Sequence, residues 1–429
     1  MSDFKKIIPV LLCVIVVVIL HMNHKQKLEE AETTPVVEVE VQTSAGLSFV
    51  LNDDKQGYTL TGLGDCTEHH IVLHTYQDLP ITHISPAAFS GYQELRSVTI
   101  SQGLVSIGES AFQNCAKLKT ITLPDTLTTI GNTAFQGCEN LTAIALPDSV
   151  TSVGRKAFDG CTRLTSVTLS PNLQTLNVAL FQGCERLKKI VIPEGVTTIE
   201  TEVFAGCSAL ASISMPDSIT NVACRVFNDT AYYQDEDNWE DSALYIDNHL
   251  ITVKENISGD FTVKDGTLTI CNDAFYACDH LSHVHMPESI RNIGEEAFYE
   301  CKHLHELVIP SQVESIGKEA FFECRHLTTI TVPDNVTRLS YGTFQSCHDL
   351  SRVILGKGVT QIDNGAFYDC WSLKYVFYMG TQEEFKTISI GAYNDSLDSA
   401  HIFYYSETKP EVKGNFWHLV NGTPVIWEG

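Results

Sequence analysis

The sequence predicts a repeat solenoid, a β/α (β/3-10) parallel stack of about 12 coils of 23 residues closed by a cap at each end. Three observations predict it. Phe89, Phe112, Phe135, Phe158, Phe181, Phe204 and Phe227 recur every 23 residues, and Phe275, Phe298, Phe321, Phe344 and Phe367 resume the same period. The residues around them recur as well: Ala111, Phe112, Cys115, Leu118, Ile121, Leu123, Pro124, Leu127, Ile130 and Gly131 define one unit. Finally, 429 residues exceed what one compact core holds, while 43% hydrophobic content is enough for a continuous interior.

Within a unit, Leu118, Ile121 and Leu123 include the period-2 apolar spacing of a short strand with one buried face, and Pro124 removes an N–H and ends it. The Ala-Phe-x-x-Cys stretch spaces its apolar residues at one helical turn and predicts a short helical or 3-10 arc on the opposite side. A lone coil buries too little apolar surface to order its own backbone. Stability therefore comes from stacking, and each end needs a cap.

Along the chain, Lys5 and Lys6 precede an apolar run from Ile7 to Leu20, so residues 1–22 read as a signal peptide or N-terminal membrane anchor. No small-x-small site follows the run, which favours an uncleaved anchor with the long acidic part outside the membrane. Residues 23–45 are polar, with Pro35 and alternating Val and Glu, as expected of a linker or stalk. Strand-like runs from Leu47 to Leu51, Tyr58 to Leu60 and Ile71 to Leu73 predict an N-terminal β cap over 46–85. The first block of repeats occupies 86–227 and the second 271–378.

Phe227 and Phe275 lie 48 residues apart, two periods plus two, so 228–270 holds an insertion or a degenerate repeat. Its first half is acidic and aromatic. A loop of that composition is expected to stand off the rod, with Tyr232, Tyr233 and Trp239 as possible contacts. After Met379 the period stops, and Tyr404, Tyr405, Trp417, His418 and Trp427 predict an aromatic cap over 379–429.

Lys+Arg 28 against Asp+Glu 53 gives a formal net charge of -25, which repels phosphate backbones and excludes nucleic acid as the expected partner. Ten cysteines share one repeat column, from Cys115 to Cys370, and read as small buried fillers. Their spacing is no metal knuckle, and parallel Cβ vectors fit disulfides poorly. His280, His303 and His326 form a second column, a candidate for a divalent metal or a charge switch near pH 6.

On the strand face, Ser97, Thr120, Ala143, Ser166, Lys189 and Ser212 make a flat outward column of mostly small residues. The equivalent residues of the second block are larger and mixed. His283, His285, Glu306, Thr329, Arg352, Ile354, Tyr375 and Phe377 are therefore the candidate ligand face. No nucleophile elbow, zinc-protease helix, phosphate loop or dinucleotide fingerprint occurs, so neither an enzyme nor a cofactor is expected.

From about Leu47 to the C-terminus, the repeated unit closely resembles the BspA-like, or Treponema-type, leucine-rich repeat family of bacterial surface proteins. The resemblance implies a right-handed leucine-rich-repeat stack, and adhesion to host matrix proteins or other cells as a class. Departures are few: Tyr92 replaces the first cysteine, Asn177, Glu200 and Ser340 replace the closing glycine, and Gly356 replaces the strand-ending proline. The expected function is a non-enzymatic extracellular binding protein that engages a host or cell-surface protein or glycan. A structural envelope spacer and a metal- or pH-responsive surface protein are the alternatives.

Overall fold

Each coil contributes two strands where the sequence marks one. The longer is the period-2 segment: in Ala143–Ala145 and Lys189–Val191 the middle residue points inward and its neighbours face solvent. The shorter is a two-residue strand just before the glycine, such as Thr129–Ile130. Two residues are too few to show an alternation, so this strand leaves no periodic trace in the sequence. Both stack in parallel with a 23-residue offset, Lys189 pairing with Ser212 and Thr129 with Ser152.

The computed structural model describes residues 42–427, so the predicted leader or anchor (1–22) and most of the linker (23–45) lie outside the described residues. From Thr43 onward the chain forms one unit. Among the described residues, no helix is long and apolar enough to cross a membrane.

The solenoid has about 15 turns, against about 12 from the sequence. The last three long strands, Tyr375–Tyr378, His401–Tyr405 and Phe416–Val420, begin turns that lack the periodic phenylalanine. At the other end, strands Ser48–Leu51 and Tyr58–Gly62 pair antiparallel ahead of the first repeat, and Tyr58–Gly62 pairs with Leu79–Ile84.

The arc around the phenylalanine is a chain of overlapping turns rather than a regular helix. Ser110 (φ 55°) and Asn114 (φ 57°) sit in the left-handed region on either side of Phe112, and a helix cannot pass through them. What holds the arc is the next coil. Ser110, Phe112 and Asn114 donate their N–H groups to the carbonyls of Asn132, Ala134 and Gln136 at 2.9, 2.7 and 2.7 Å. These bonds offset the strain of two left-handed residues per coil.

Inside, the phenylalanines form a ladder: neighbouring rings from Phe89 to Phe227 lie 5.0–5.9 Å apart and within 9° of parallel. The cysteines form a second ladder with a role beyond filling space. The Cys138 thiol donates to the Phe112 carbonyl at 3.2 Å, and Cys115, Cys161, Cys301 and Cys324 repeat the bond to the preceding coil at 3.1–3.3 Å. Among the described residues every cysteine is a free thiol, and all are buried except Cys224. Burial pushes the thiols of Cys115 and Cys370 up to about 12, so they stay protonated and unreactive. A maleimide at pH 7.5 is expected to modify Cys224 in the native protein and the ladder cysteines only after denaturation. Mass spectrometry of the labelled peptides reads the result, and rapid native labelling of Cys161 would contradict it.

The insertion does not stand off the rod. Strands Ala243–Ile246 and His249–Val253 form a hairpin buried on both faces. Leu244, Ile246 and Ile251 join the core of the first block, while Ala243, Leu250 and Val253 join that of the second. The hairpin is thus an internal plate between two cores. It also satisfies groups that the first block leaves open: Asp247 accepts from the Met215 N–H at 2.7 Å, and His249 Nε2 lies 3.0 Å from the Pro216 carbonyl.

A carbonyl only accepts, so His249 carries its proton on Nε2, and its buried Nδ1 has no partner among the described residues. Burial holds the imidazole below its ordinary pKa. Below pH ~6.5 the unfolded chain therefore binds a proton that the native chain refuses, and stability falls as pH drops toward the folded-state value. His249→Gln is expected to lose this part of the pH dependence. Urea unfolding of both proteins between pH 7.5 and 5 measures it, and parallel stability curves would contradict it.

Candidate functional site

Register places the predicted ligand face on one column of long strands. His283, Glu306, Thr329, Arg352, Tyr375 and His401 are successive Cα partners, and beside them Thr331, Ile354, Phe377 and Phe403 form a second column. His285 and Glu306 are exposed, whereas His283, Thr329, Arg352 and Ile354 are half-buried against their neighbours. Tyr375 is 37% exposed, with the rings of His401 and Phe403 each 6.2 Å away.

Phe377 does not belong to the exposed face. It is 4% exposed, because Trp417 packs edge-on at 5.3 Å and Phe403 stacks at 5.5 Å. The C-terminal strand that brings Trp417 covers this position, which repeat spacing alone leaves outward. Phe403, His401 and the 75%-exposed Val308 also belong to the face, although the repeat spacing does not mark them. Phe403 follows Phe377 by 26 residues rather than 23, so a strict repeat count misses it. The run His401-Ile402-Phe403-Tyr404-Tyr405 was the available signal.

Charge along the column is mixed. The His283 ring sits 2.8 Å from an Asp260 carboxylate oxygen, and Arg352 Nε is shielded without a hydrogen-bond partner among the described residues. One end of the face, from Arg352 through Tyr375 to His401, thus presents a cation beside aromatic rings. The matching first-block column is mostly small, with Lys189 its one charged residue.

The other candidates fall elsewhere. His280, His303 and His326 stack in one exposed column, with ring centroids 6.4 and 5.6 Å apart. The Nδ1 atoms of His303 and His326 are already engaged, by the Asp279 carbonyl at 2.6 Å and an Asp349 carboxylate oxygen at 2.8 Å. Among the described residues, no group of three or more His, Cys, Asp or Glu is arranged to hold a metal ion. Tyr232, Tyr233 and Trp239 are half-buried against the first core. Tyr232 donates its hydroxyl to the Tyr245 carbonyl and Trp239 its indole N–H to the Tyr233 carbonyl, both at 2.9 Å. The Tyr232 hydroxyl and the Trp239 indole N–H are thus spent inside the joint.

The family described as BspA type leucine rich repeat region (6 copies) matches residues 82–210, 128–250 and 261–398. No curated protein matches. Among solved structures, a leucine-rich repeat protein from Bacteroides ovatus is 23% identical over 85% of this chain and 99% of its own, with a TM-score of 0.39. A leucine rich cell surface protein from Faecalibacterium prausnitzii is 27% identical over 81% and 97%, with a TM-score of 0.36. The pneumococcal vaccine antigen PcpA is 20% identical over 86% and 94%, with a TM-score of 0.35.

Proposed function

The chain belongs to the BspA-type leucine-rich repeat family, and from that premise we propose that it is a non-enzymatic extracellular binding protein, held at a cell surface by its N-terminal segment. Its partner is a protein or glycan on a host or neighbouring cell. The observation that carries this reading is the contrast between the equivalent outward columns of the two blocks. Ser97, Thr120, Ala143 and Ser166 in the first block give way to Glu306, Arg352, Tyr375 and His401 near the end of the second.

The fold is indifferent to this change, because outward side chains of the same strands face solvent in both blocks. Aromatic and arginine side chains are those that carry most of the energy at interfaces, whereas serine and alanine are depleted there. Solenoids present such surfaces as extended, rigid platforms. A face of this kind needs no cofactor.

The test is binding of a soluble fragment from Thr43 to Gly429 to cells and to matrix proteins. Saturable binding is expected, weakened about tenfold or more by Tyr375→Ala together with Arg352→Ala and unaffected by Thr120→Ala. No saturable binding to any surface would favour the envelope-spacer reading. Binding that survives the double substitution would move the site off this face.

A further inference from the structure

The insertion opens a gap in the backbone ladder that joins the turn arcs from Phe89 to Phe204 and from Phe275 to Phe344 each to the next. In a regular arc, the phenylalanine and the residues two before and two after it donate N–H groups to the following coil. Glu202, Phe204 and Gly206 do so to Cys224, Val226 and Asn228 at 3.4, 3.0 and 2.9 Å. The next arc meets no such partner. The N–H groups of Arg225, Phe227 and Asp229 find no acceptor among the described residues, although Phe227 is only 2% exposed. Across the gap the carbonyls of Asn272 and Tyr276 receive no donor, and only Val253 reaches over, to the Ala274 carbonyl at 2.9 Å.

The two arcs touch at one end, where the Asn272 N–H meets the Val222 carbonyl at 3.1 Å, and diverge from there. A cavity of about 160 Å³ occupies the wedge between them, lined by Arg225, Phe227, Tyr233, Ile251, Asn272 and Asp273. Its two walls are of opposite character. One is the arc of Arg225 and Phe227, whose N–H groups lack acceptors; the other is the arc of Asn272 and Asp273, where the Asn272 carbonyl lacks a donor. Arg225 and Asp273 lie close enough to influence each other but form no ion pair, and burial holds the Asp273 carboxyl above its ordinary range. Phe227, Ile251 and Tyr233 supply an apolar floor.

We propose that this wedge binds a free α-amino acid with an apolar side chain. Its carboxylate takes the N–H groups of Arg225 and Phe227 and the guanidinium of Arg225. Its ammonium takes the Asn272 carbonyl and the Asp273 carboxylate. An inorganic anion or a simple amine satisfies one wall and leaves the other unpaired; a zwitterion satisfies both. The site lies on the turn arc, not on the strand face proposed for cell binding, so the two readings stand or fall separately.

Cys224 lines the cavity and is the one described cysteine that is not buried, which makes it a built-in reporter. The full-length protein is labelled with a maleimide in the presence of L-alanine, L-valine or L-leucine, and Cys224 modification is timed by mass spectrometry. At least one of the three is expected to slow labelling about fivefold or more at millimolar concentration. Sodium acetate and leucine methyl ester, which lack one charge each, are expected to leave it unchanged. Arg225→Gln and Asp273→Asn are each expected to abolish the protection, with the buried ladder thiols still unlabelled as proof of an intact fold. Equal protection by acetate would reduce the wedge to an anion site and overturn the proposal. So would no protection by any amino acid, which would leave water as the only occupant, or full protection in both variants.

Discussion

Replacing Phe158 by alanine is expected to cost about 3–5 kcal/mol of stability, the range for truncating a fully buried aromatic side chain. Phe158 has no exposed surface, and its ring lies 5.3 Å from Phe135 and 5.4 Å from Phe181, within 7° of parallel to both. The substitution removes contacts on two sides at once, since coils above and below hold the cavity open and neither can collapse without leaving register. In a stack stabilised by nearest-neighbour terms, one weakened coil loosens both of its interfaces. Phe322→Ala is the control. That ring also stacks, 4.6 Å from Tyr299, but in a half-exposed outer column, and its loss is expected to cost about 1 kcal/mol. Urea unfolding at a common m-value measures both. A cost below about 1 kcal/mol for Phe158→Ala would mean that the ladder does not support the core.

The second large effect is expected at the C-terminal cap. Trp417 is fully buried, donates its indole N–H to the Tyr378 carbonyl at 2.9 Å, and packs on Phe377 and Tyr405 at 5.3 and 5.4 Å. Trp417→Ala is expected to cost about 3–5 kcal/mol and to fray the last turns first, because an uncapped end exposes the face of its final coil. Hydrogen exchange should show amides of residues 401–427 losing protection well before those of the first block. Trp417→Phe is expected to recover most of the loss while leaving the Tyr378 carbonyl without its donor, a deficit of about 1 kcal/mol. Uniform loss of protection along the whole chain would contradict the capping role.

What the sequence reveals here follows from what repetition can encode. Twelve phenylalanines at one spacing define the coil, its buried column and the long strand, because identical residues in identical environments leave a periodic trace. The turn arc was only partly legible. Ser110, Thr133 and Lys156 adopt the same left-handed conformation without a glycine, since the neighbouring coil's carbonyls impose it. The cysteine column reads as filler from spacing alone, and the S–H bond to the preceding phenylalanine carbonyl becomes visible only once the coils are stacked. The insertion misleads for a related reason: its acidic, aromatic start up to Asp241 suggests a projecting loop, while the apolar run that follows, with Leu244, Ile246, Leu250 and Ile251, is buried on both faces. Phe377 shows the limit of column reasoning, since the residue that covers it, Trp417, lies 40 positions on and outside the period.

Spin-label distances along one outward column test the stacked-coil account most directly. In a Cys224→Ser background, nitroxides are placed pairwise at Thr120 with Ser212, four coils apart, and at Ser97 with Ser212, five coils apart. At an inter-strand spacing of ~4.8 Å, the backbone separations should be about 19 and 24 Å, rising by one spacing per coil. Distances that do not increase with coil number, or that exceed these values several-fold, would contradict a continuous parallel stack.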